Sequence, residues 1–398
     1  MKNHTLSRVN SIDIFRALTM FLMLFVNDFW TLTNVPHWME HSKADVDFLG
    51  FSDVIFPLFL FIVGMVIPYA IDIRRQRGQS QLVISRHIIE RSFALIIMGI
   101  FTVNSPSIDP AATGLSKAWF EIIMVIGFFL IWNKYRTDSG RNTINTILRI
   151  AGILLLIGLA VLFRAKGGDG TVQYLAPRWW GILGLIGWSY LTVALYYLLV
   201  GKSFFWNVIG WLFFTFFNLA GHAGWLTSIL GLPSGEVFIG NGAFHSFVFA
   251  GVLGGLLLQK LQTGNWRKMI GYTIVIGIMF LLIGIAAREF FIISKIRATP
   301  TWIYLCIGIG FISFAFIYWI VDILGKRHWF KSIEPAGHST LTCYILPYWF
   351  YGFVTILGLQ LPSMLTNGVI GLGKSLVYSL LIIGITVLIG RVGLRLKL

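Results

Sequence analysis

The chain has 398 residues, of which 57% are hydrophobic and 12% charged, with a mean hydropathy of +0.79. An ordinary soluble domain carries about twice that charged fraction. The composition therefore excludes a soluble domain of ordinary kind. The net charge of +15 does not predict a nucleic-acid partner, because the basic residues lie mostly in short loops beside apolar segments, where the positive-inside rule accounts for them. Cys306 and Cys343 lie inside apolar segments and predict neither a disulfide framework nor a metal site.

Apolar segments of about 20 residues recur along the whole sequence, which is the length that a membrane-spanning helix requires. They predict an all-α polytopic membrane protein with one membrane-embedded domain over residues 1–398. Twelve spans fit best, and ten or eleven are the alternative because the fifth and seventh are short or closely followed by another. The predicted spans are Ile12–Leu32, Phe51–Ile71, Ile84–Val103, Leu115–Trp132, Ile147–Phe163, Trp180–Val200, Phe204–Ala220, Phe238–Leu258, Met269–Ala287, Trp302–Leu324, Thr340–Leu357 and Ser375–Leu394.

Basic residues concentrate at both ends of the chain and in alternate loops, and they predict the orientation. They are Lys2, Arg8, Arg74, Arg75, Arg77, Lys134, Arg136, Arg141, Lys202, Lys260, Arg267, Lys268, Lys326, Arg327, Lys331, Arg391, Arg395 and Lys397. The positive-inside rule places these loops and both termini in the cytoplasm, so His37 and His41 face outward. Arg288, Lys295 and Arg297 break the alternation in one outer loop. One exception does not overturn the pattern, so we expect no special role for them; a functional role is the alternative.

Two polar pairs flank the first predicted span. Asp13 and Arg16 are three residues apart at the start of a helix and therefore share a face. They form either an ion pair at the membrane boundary or a cytoplasmic mouth that holds an anion. Asn27 and Asp28 close the span on the outer side. They are either a hydrated helix end or polar groups directed into a cavity, where Asn27 would hold a carbonyl or an imidazole.

The segment between the first two spans contains His37, Glu40 and His41, and Asp53 follows where the second span begins. Histidine is the commonest general base, and a carboxylate beside it orients the ring. A solvated loop is the alternative; zinc binding is disfavoured because no third ligand has a characteristic spacing. Asp53 shortly precedes Pro57, so it either caps the helix or faces one of the histidines.

Five arginines on the cytoplasmic side are candidates for binding a polyphosphate: Arg74, Arg75, Arg77, Arg86 and Arg91. The planar guanidinium group binds phosphate through two parallel hydrogen bonds. Attraction to anionic lipid head groups is the alternative, and it would suffice to explain these residues.

Residues 11–19, SIDIFRALT, resemble the S-L-D-x-F-R-G-L-T motif of the heparan-α-glucosaminide N-acetyltransferase family. Residues 52–64, SDVIFPLFLFIVG, are similar to the family's A-D-L-V-F-P-x-F-x-F-I-x-G, and residues 103–106, VNSP, to its V-N-P-x. Weaker matches occur at residues 250–255, AGVLGG, and 335–341, PAGHSTL. The resemblance follows nearly the whole chain in order, and its most specific part is the first pair of spans.

The resemblance implies an enzyme that takes acetyl from cytosolic acetyl-CoA and delivers it to an amino-sugar nitrogen across the membrane. The family's catalytic histidine lies between the first two motifs. His37 matches it better by its distance from Asn27 and its position after Pro36, and His41 is the second candidate. For this activity we expect further roles of the candidates: orientation of the base by Asp53 or Glu40, polarisation of the thioester by Asn27, acetyl-CoA binding by Arg16 and the five arginines above, and acceptor binding by Asp28, Glu40 and Asn104.

A transporter or flippase of an amino sugar or a cell-envelope precursor is the rival interpretation. The number of spans and the intramembrane polar groups support it, whereas the missing inverted repeat argues against it. The expected location is a bacterial inner membrane, with the lipid bilayer, acetyl-CoA and the amino sugar as partners. The acceptor, the acyl chain length, a homodimer and the choice between direct transfer and an acetyl-histidine intermediate stay open.

Overall fold

The computed structural model describes residues 9–135, 142–168, 170–231, 241–261 and 266–398. The described residues form fifteen α-helices and one very short β-hairpin. The helices are α1 (Asn10–Asn27), α2 (Phe51–Gln76), α3 (Gln81–Asn104), α4 (Pro110–Thr113), α5 (Lys117–Trp132), α6 (Asn142–Leu162), α7 (Gly181–Val200), α8 (Phe204–His222), α9 (Trp225–Leu230), α10 (Ala243–Leu261), α11 (Trp266–Ala287), α12 (Pro300–Tyr318), α13 (Glu334–His338), α14 (Thr340–Ile356) and α15 (Gly368–Arg391). The antiparallel strands are β1 (Ala165–Lys166) and β2 (Val172–Gln173).

The described residues also contain several short turns of helix. Five are 3₁₀-helices: Asp28–Thr31, His37–Met39, Ser105–Ser107, Arg327–Phe330 and Ser363–Thr366. A π-helical turn, Trp319–Ile323, continues α12.

Each of the twelve predicted spans coincides with a helix, namely α1–α3, α5–α8, α10–α12, α14 and α15. Within the described ranges, nine of these are long and apolar enough to cross a membrane: α2, α3, α6–α8, α10–α12 and α15. The chain is therefore an all-α multi-pass membrane protein, while the number of crossings and the side of each terminus stay predictions.

Several helices differ from the predicted spans at their ends. The first span was predicted to run to Leu32, but α1 ends at Asn27, because the chain tightens there into the 3₁₀-helix Asp28–Thr31. Helices α6 and α15 begin earlier than predicted, at Asn142 and Gly368. Residues 238–240 of the eighth predicted span lie outside the described residues, as do the basic residues Lys2, Arg8, Arg136 and Arg141.

The chain divides into two compact units, and the prediction of a single membrane domain stays a prediction. The first comprises Met1–Phe29, Asn34–Ile89 and Trp188–Gly337, and the second comprises Trp30–Thr33, Glu90–Gly187 and His338–Leu398. In the first unit, α2 contacts α1, α10 and α12, while α10 contacts α8 and α11 contacts α12. In the second unit, α5 contacts α6 and α14, and α14 contacts α15.

Helix α2 is the central helix of the first unit. Of the residues in its most apolar stretch, 72% are buried, against 28% in α11 of the same unit. A helix that is apolar on all sides is buried on all sides, whereas one with an exposed apolar face requires lipid there. We therefore infer that α11 faces lipid and that α2 is enclosed by protein.

The backbones of α2 and α10 touch where two glycines meet. A Cβ atom added to Gly64 would lie 1.9 Å from the carbonyl oxygen of Val248, and one added to Gly251 would lie 1.9 Å from that of Phe61. Small residues at crossings let membrane helices approach closely enough for extensive van der Waals contact. This crossing fixes the position of α2 within the first unit.

A proline in α2 creates a second fixed point, near the start of the helix. Pro57 has no N–H, so the carbonyl of Asp53 one turn earlier loses its helical partner. The indole N–H of Trp302 in α12 donates to this carbonyl at 3.1 Å. Trp302 is fully buried, and its ring packs edge-on against Phe247 at 5.0 Å. The start of α2, where Asp53 lies, is thereby attached to α12.

Candidate active site

The residues between α1 and α2 fold onto the start of α2, and we call residues 34–50 the outer segment. The hydroxyl of Ser52 donates to the carbonyl of Met39 at 2.5 Å, and the side chain of Met39 is buried. A Cβ atom at Gly50 would lie 1.9 Å from the carbonyl oxygen of Glu40, so only glycine permits this approach. These two contacts decide which part of the outer segment lies against α2.

Asp53 is the buried acid of this site, with 1% of its surface exposed. One carboxylate oxygen, Oδ1, lies 2.8 Å from Nδ1 of His41. The other accepts the backbone N–H groups of Ser42 at 3.0 Å and Gly50 at 3.3 Å. Gly50, and not Asp53, is the N-cap residue of α2. From the first turn of α2, the Asp53 carboxylate therefore accepts backbone N–H groups at and before the helix start, and it also contacts a histidine. The sequence had offered helix capping and a histidine contact as alternatives, and Asp53 makes contacts of both kinds without being the N-cap residue.

The contact with Asp53 favours one tautomer of a neutral His41 ring. A carboxylate accepts and cannot donate, so this tautomer has the proton on Nδ1 and a lone pair on Nε2. The side chain of His41 is 47% exposed, so the ring remains accessible to solvent. An imidazole oriented by a buried carboxylate, with its second nitrogen free to accept a proton, has the geometry of a general base.

His37 has a different environment. It begins the 3₁₀-helix His37–Met39, and its ring stacks on Phe48 with the centroids 4.9 Å apart. Of the two candidate histidines, the structure brings His41 to the buried acid and places His37 on an aromatic ring.

The three basic residues that broke the charge alternation lie in residues 288–299, which we call the basic loop. Each forms an ion pair with an acid of the outer segment or of α2. The pairs are Arg288–Asp47, Lys295–Asp53 and Arg297–Asp45. The exception to the positive-inside rule thus has a local reason, because acids on the same side balance these bases. Sequence reasoning did not select Lys295, whose ammonium group lies 3.1 Å from Nδ1 of His41; the broken alternation was the available signal.

The basic loop is attached to neighbouring helices through the carbonyl of Ala298. This oxygen accepts hydrogen bonds from Asn218 at 3.0 Å and Asn241 at 3.2 Å, and it lies 3.2 Å from Nε2 of His222. Ala298 has a φ of +50°, a conformation that is strained for a residue with a Cβ atom. The bonds to its carbonyl hold the end of the loop, which keeps Lys295 beside His41.

We expect the contact between the basic loop and the outer segment to weaken only in strong acid. Burial alone would raise the pKa of Asp47, but the N–H of Ile293 and the guanidinium of Arg288 outweigh it and lower this pKa below 3.8. A lowered carboxyl pKa stabilises the folded form above the unfolded-state value, and the effect is lost as pH falls through the folded-state value. Hydrogen exchange at Ile293, corrected for its intrinsic rate, should therefore stay slow at pH 5 and accelerate below about pH 3.8.

Asp47→Asn is the matched control for this measurement, because it keeps the size of the side chain and removes the titrating group. It should exchange faster than the parent at pH 5 and show no additional acceleration in acid. Equal acceleration of both proteins in acid would contradict a role for Asp47 in the attachment.

Other candidates of the outer side are placed as follows. Asn27 is exposed at the end of α1, and the next residue, Asp28, is 1% exposed. Glu40 is exposed on the outer segment. In the second unit, Asn104 is fully buried; its amide donates to the carbonyls of Ile100 and Ala176 and accepts from Arg178 at 2.8 Å. These bonds make Asn104 a support for the loop that carries Arg178.

The basic candidates of the predicted cytoplasmic side are placed as follows. Arg16 bonds to Asp13 at 2.7 Å, Arg74 to Gln79 at 3.0 Å and Arg75 to the carbonyl of Leu198 at 2.6 Å. Arg77 and Arg86 are exposed, and Arg91 is half-buried in the second unit. The ion pair of Asp13 and Arg16 is one of the two alternatives that the sequence left open, and a role in holding an anion stays a prediction.

The candidate base and the basic end occupy opposite ends of α2. Asp53 and Arg75 are 22 residues apart on one helix, and a rise of 1.5 Å per residue separates them by about 33 Å. This is about the thickness of the hydrocarbon core of a bilayer.

Within the described residues, no three histidine, cysteine or acidic side chains are grouped so as to hold a metal ion.

Comparison with known proteins gives one family and two distant relatives. Residues 8–228 match the family model described as "Domain of unknown function (DUF5009)". The chain is 35% identical over 102 residues to heparan-alpha-glucosaminide N-acetyltransferase of Mus musculus, and 36% identical over 97 residues to that of Homo sapiens. These alignments cover 25% and 24% of this chain and 14% of each relative, which shows a distant relationship to an acetyltransferase. Because the family model matches more than half of its length, the chain belongs to the DUF5009 family.

Proposed function

We propose that this protein is a membrane N-acetyltransferase that moves acetyl from cytosolic acetyl-CoA to the amine of an amino sugar on the outer side of the membrane. The observation that carries the proposal is the pairing of the accessible His41 ring with the buried carboxylate of Asp53. The distant relationship to heparan-alpha-glucosaminide N-acetyltransferase supports the reaction class.

In this proposal His41 is the general base. Nε2 takes a proton from the acceptor amine as its nitrogen attacks the thioester carbonyl; the C–N bond forms, the C–S bond breaks, and the proton passes to the departing thiolate. Asp53 holds the ring and stabilises the imidazolium that forms in between. A route through an acetyl-histidine intermediate uses the same nitrogen as nucleophile. His37 is the base of the competing version.

Further roles are proposed for polar groups of the outer side. The amide of Asn27 would donate to the thioester oxygen as negative charge develops on it, the usual role of an oxyanion donor. The carboxylates of Asp28 and Glu40 would attract the ammonium form of the acceptor before it loses its proton. Asn104 is a further candidate for contact with the acceptor, through the loop that it supports.

On the cytoplasmic side, arginines would bind the phosphates of acetyl-CoA. Arg77 and Arg86 are the exposed members of the set. Arg16, Arg74 and Arg75 would bind phosphate in addition to the protein groups that they contact. Arg91 is the candidate from the second unit. Because about 33 Å of α2 separates this end from Asp53, the thioester arm would have to enter between the helices to bring acetyl to His41.

The test is acetyl transfer by the full chain purified in detergent. Labelled acetyl-CoA is supplied with a panel of amino sugars, including glucosamine, and labelled N-acetyl product is expected. A transporter needs a sealed membrane and chemistry does not, so product in detergent excludes the transport interpretation. Absence of product with every acceptor, together with no thermal stabilisation by acetyl-CoA, would overturn the proposal.

A further inference from the structure

A lysine completes the pair of His41 and Asp53. Nζ of Lys295, from the basic loop, lies 3.1 Å from Nδ1 of His41 and 3.9 Å from Oδ1 of Asp53. The side chain of Lys295 is 24% exposed, and that of Asp53 is 1% exposed. A cation and a carboxylate therefore meet at Nδ1 of the imidazole ring, while the side that carries Nε2 remains accessible.

Hydrogen-bond accounting favours a role for the lysine as a charge beside the ring. An ammonium group only donates and a carboxylate only accepts, and Nδ1 has a single bonding position. That position serves Asp53, the nearer of the two groups, whose other oxygen is already fixed by two backbone N–H groups. The ammonium of Lys295 is then left beside Nδ1–H as a neighbouring positive charge.

The charges around the ring define the effect of the lysine. With a neutral ring, the charges of Asp53 and Lys295 cancel. A proton on the ring gives the three side chains a net charge of +1. Without the lysine, the buried carboxylate would keep its two backbone N–H donors but lose the cation beside it. An uncompensated buried charge is costly. That cost would favour the imidazolium, a form that cannot accept a proton.

Other charged and titratable groups lie on the elements that carry these three side chains. The outer segment also carries Glu40 and Lys43, both exposed. The thiol of Cys306 in α12 interacts with both Asp53 and Lys295. Two ion pairs balance themselves: Arg288–Asp47 and Arg297–Asp45. Burial lowers the pKa of Lys295, while the charge of Asp53 opposes that change. Lys295 is the cation that touches both members of the pair.

We propose that Lys295 is a positioning residue that keeps the ring of His41 unprotonated, and therefore able to accept a proton, by balancing the buried charge of Asp53. The inference rests on the proposed role of His41 as the base and goes beyond it, because it assigns the state of that base to a residue of the basic loop. It gives the exception to the positive-inside rule a function.

The test uses diethyl pyrocarbonate, which modifies the unprotonated imidazole ring, with mass spectrometry of the full chain to resolve each histidine. Modification of His41 is compared at pH 8 and pH 6 in the parent, Lys295→Met, Lys295→Arg and Lys43→Met. In Lys295→Met the rate of modification at pH 8 divided by the rate at pH 6 should rise about tenfold, which is the order of the effect of a neighbouring charge on an imidazole. Lys295→Arg restores the charge and should restore the ratio, and Lys43→Met should leave it unchanged.

His37 in the same molecules is the internal reference, and its unchanged modification rate reports that the outer segment is folded. If Lys295→Met fails this check, Lys295→Gln, which keeps a donor without the charge, replaces it. An equal ratio in the parent and the neutral variant would overturn the inference. The assay needs no acetyl-CoA, so its result stands apart from that of the transfer assay.

Discussion

Replacement of His41 by alanine is expected to reduce the rate of acetyl transfer by about 10²- to 10⁴-fold, the usual contribution of a general base. His37→Ala is the matched variant, since it removes the same ring four residues earlier in the same segment. It is expected to keep most of the rate, because His37 stacks on Phe48 whereas His41 bonds to the buried carboxylate. The measurement is the rate with saturating acetyl-CoA and acceptor.

Two controls make this comparison decisive. Both variants should elute as the parent does in gel filtration and unfold at a similar temperature, because both side chains are largely exposed. Added imidazole should restore part of the activity of His41→Ala if a base is what is missing. The reverse order of activities would identify His37 as the base and would leave the pair of His41 and Asp53 with a structural role.

The helices were predictable because the signal is local. A run of apolar residues long enough to span a bilayer is visible without knowledge of any contact, and each predicted run coincides with a helix. The ends were less predictable because they depend on polar contacts. Helix α1 ends at Asn27, five residues before the predicted end at Leu32, because Asp28 is buried and the chain tightens there into a 3₁₀-helix.

The candidate site was predictable only in part, because its members come from distant parts of the chain. His41 and Asp53 were visible from the sequence, as they flank one short segment. Lys295 is 254 residues from His41, and no periodicity reports such a contact. Which histidine meets the acid also depends on folding rather than on the local sequence. The contacts Ser52–Met39 and Gly50–Glu40 orient the outer segment so that His41 contacts Asp53.

Asn104 illustrates the same limit from the other direction. A polar residue at the end of an apolar span has the appearance of a ligand-binding group, and the sequence placed it in the acceptor site. The structure shows its amide bonded to Ala176 and Arg178, which lie 72 and 74 residues further along the chain. Acceptor binding by Asn104 stays a prediction, and the loop support is the role that its contacts show.

The stability of the first unit is expected to depend on one glycine. Gly251→Ala adds a single carbon, which in most helices would increase stability by about 0.5–1 kcal/mol. Here the new Cβ atom would lie 1.9 Å from the carbonyl oxygen of Phe61 and 2.9 Å from Cα of Gly64. Backbone atoms cannot rotate away as a side chain can, so α2 and α10 must separate. The expected cost is about 1–3 kcal/mol, as for other overpacked cores.

Gly271→Ala in α11 is the matched control, because among the described residues no atom beyond its own helix backbone lies within 4 Å of its added Cβ. Thermal unfolding in detergent should place Gly251→Ala below the parent protein and Gly271→Ala at or above it. Equal shifts of the two variants would show that α2 and α10 do not need their close contact. Because α2 carries Asp53 at its outer end, Gly251→Ala should also alter the contact with His41. A packing change deep in the helix would then reach the site through the helix that connects them.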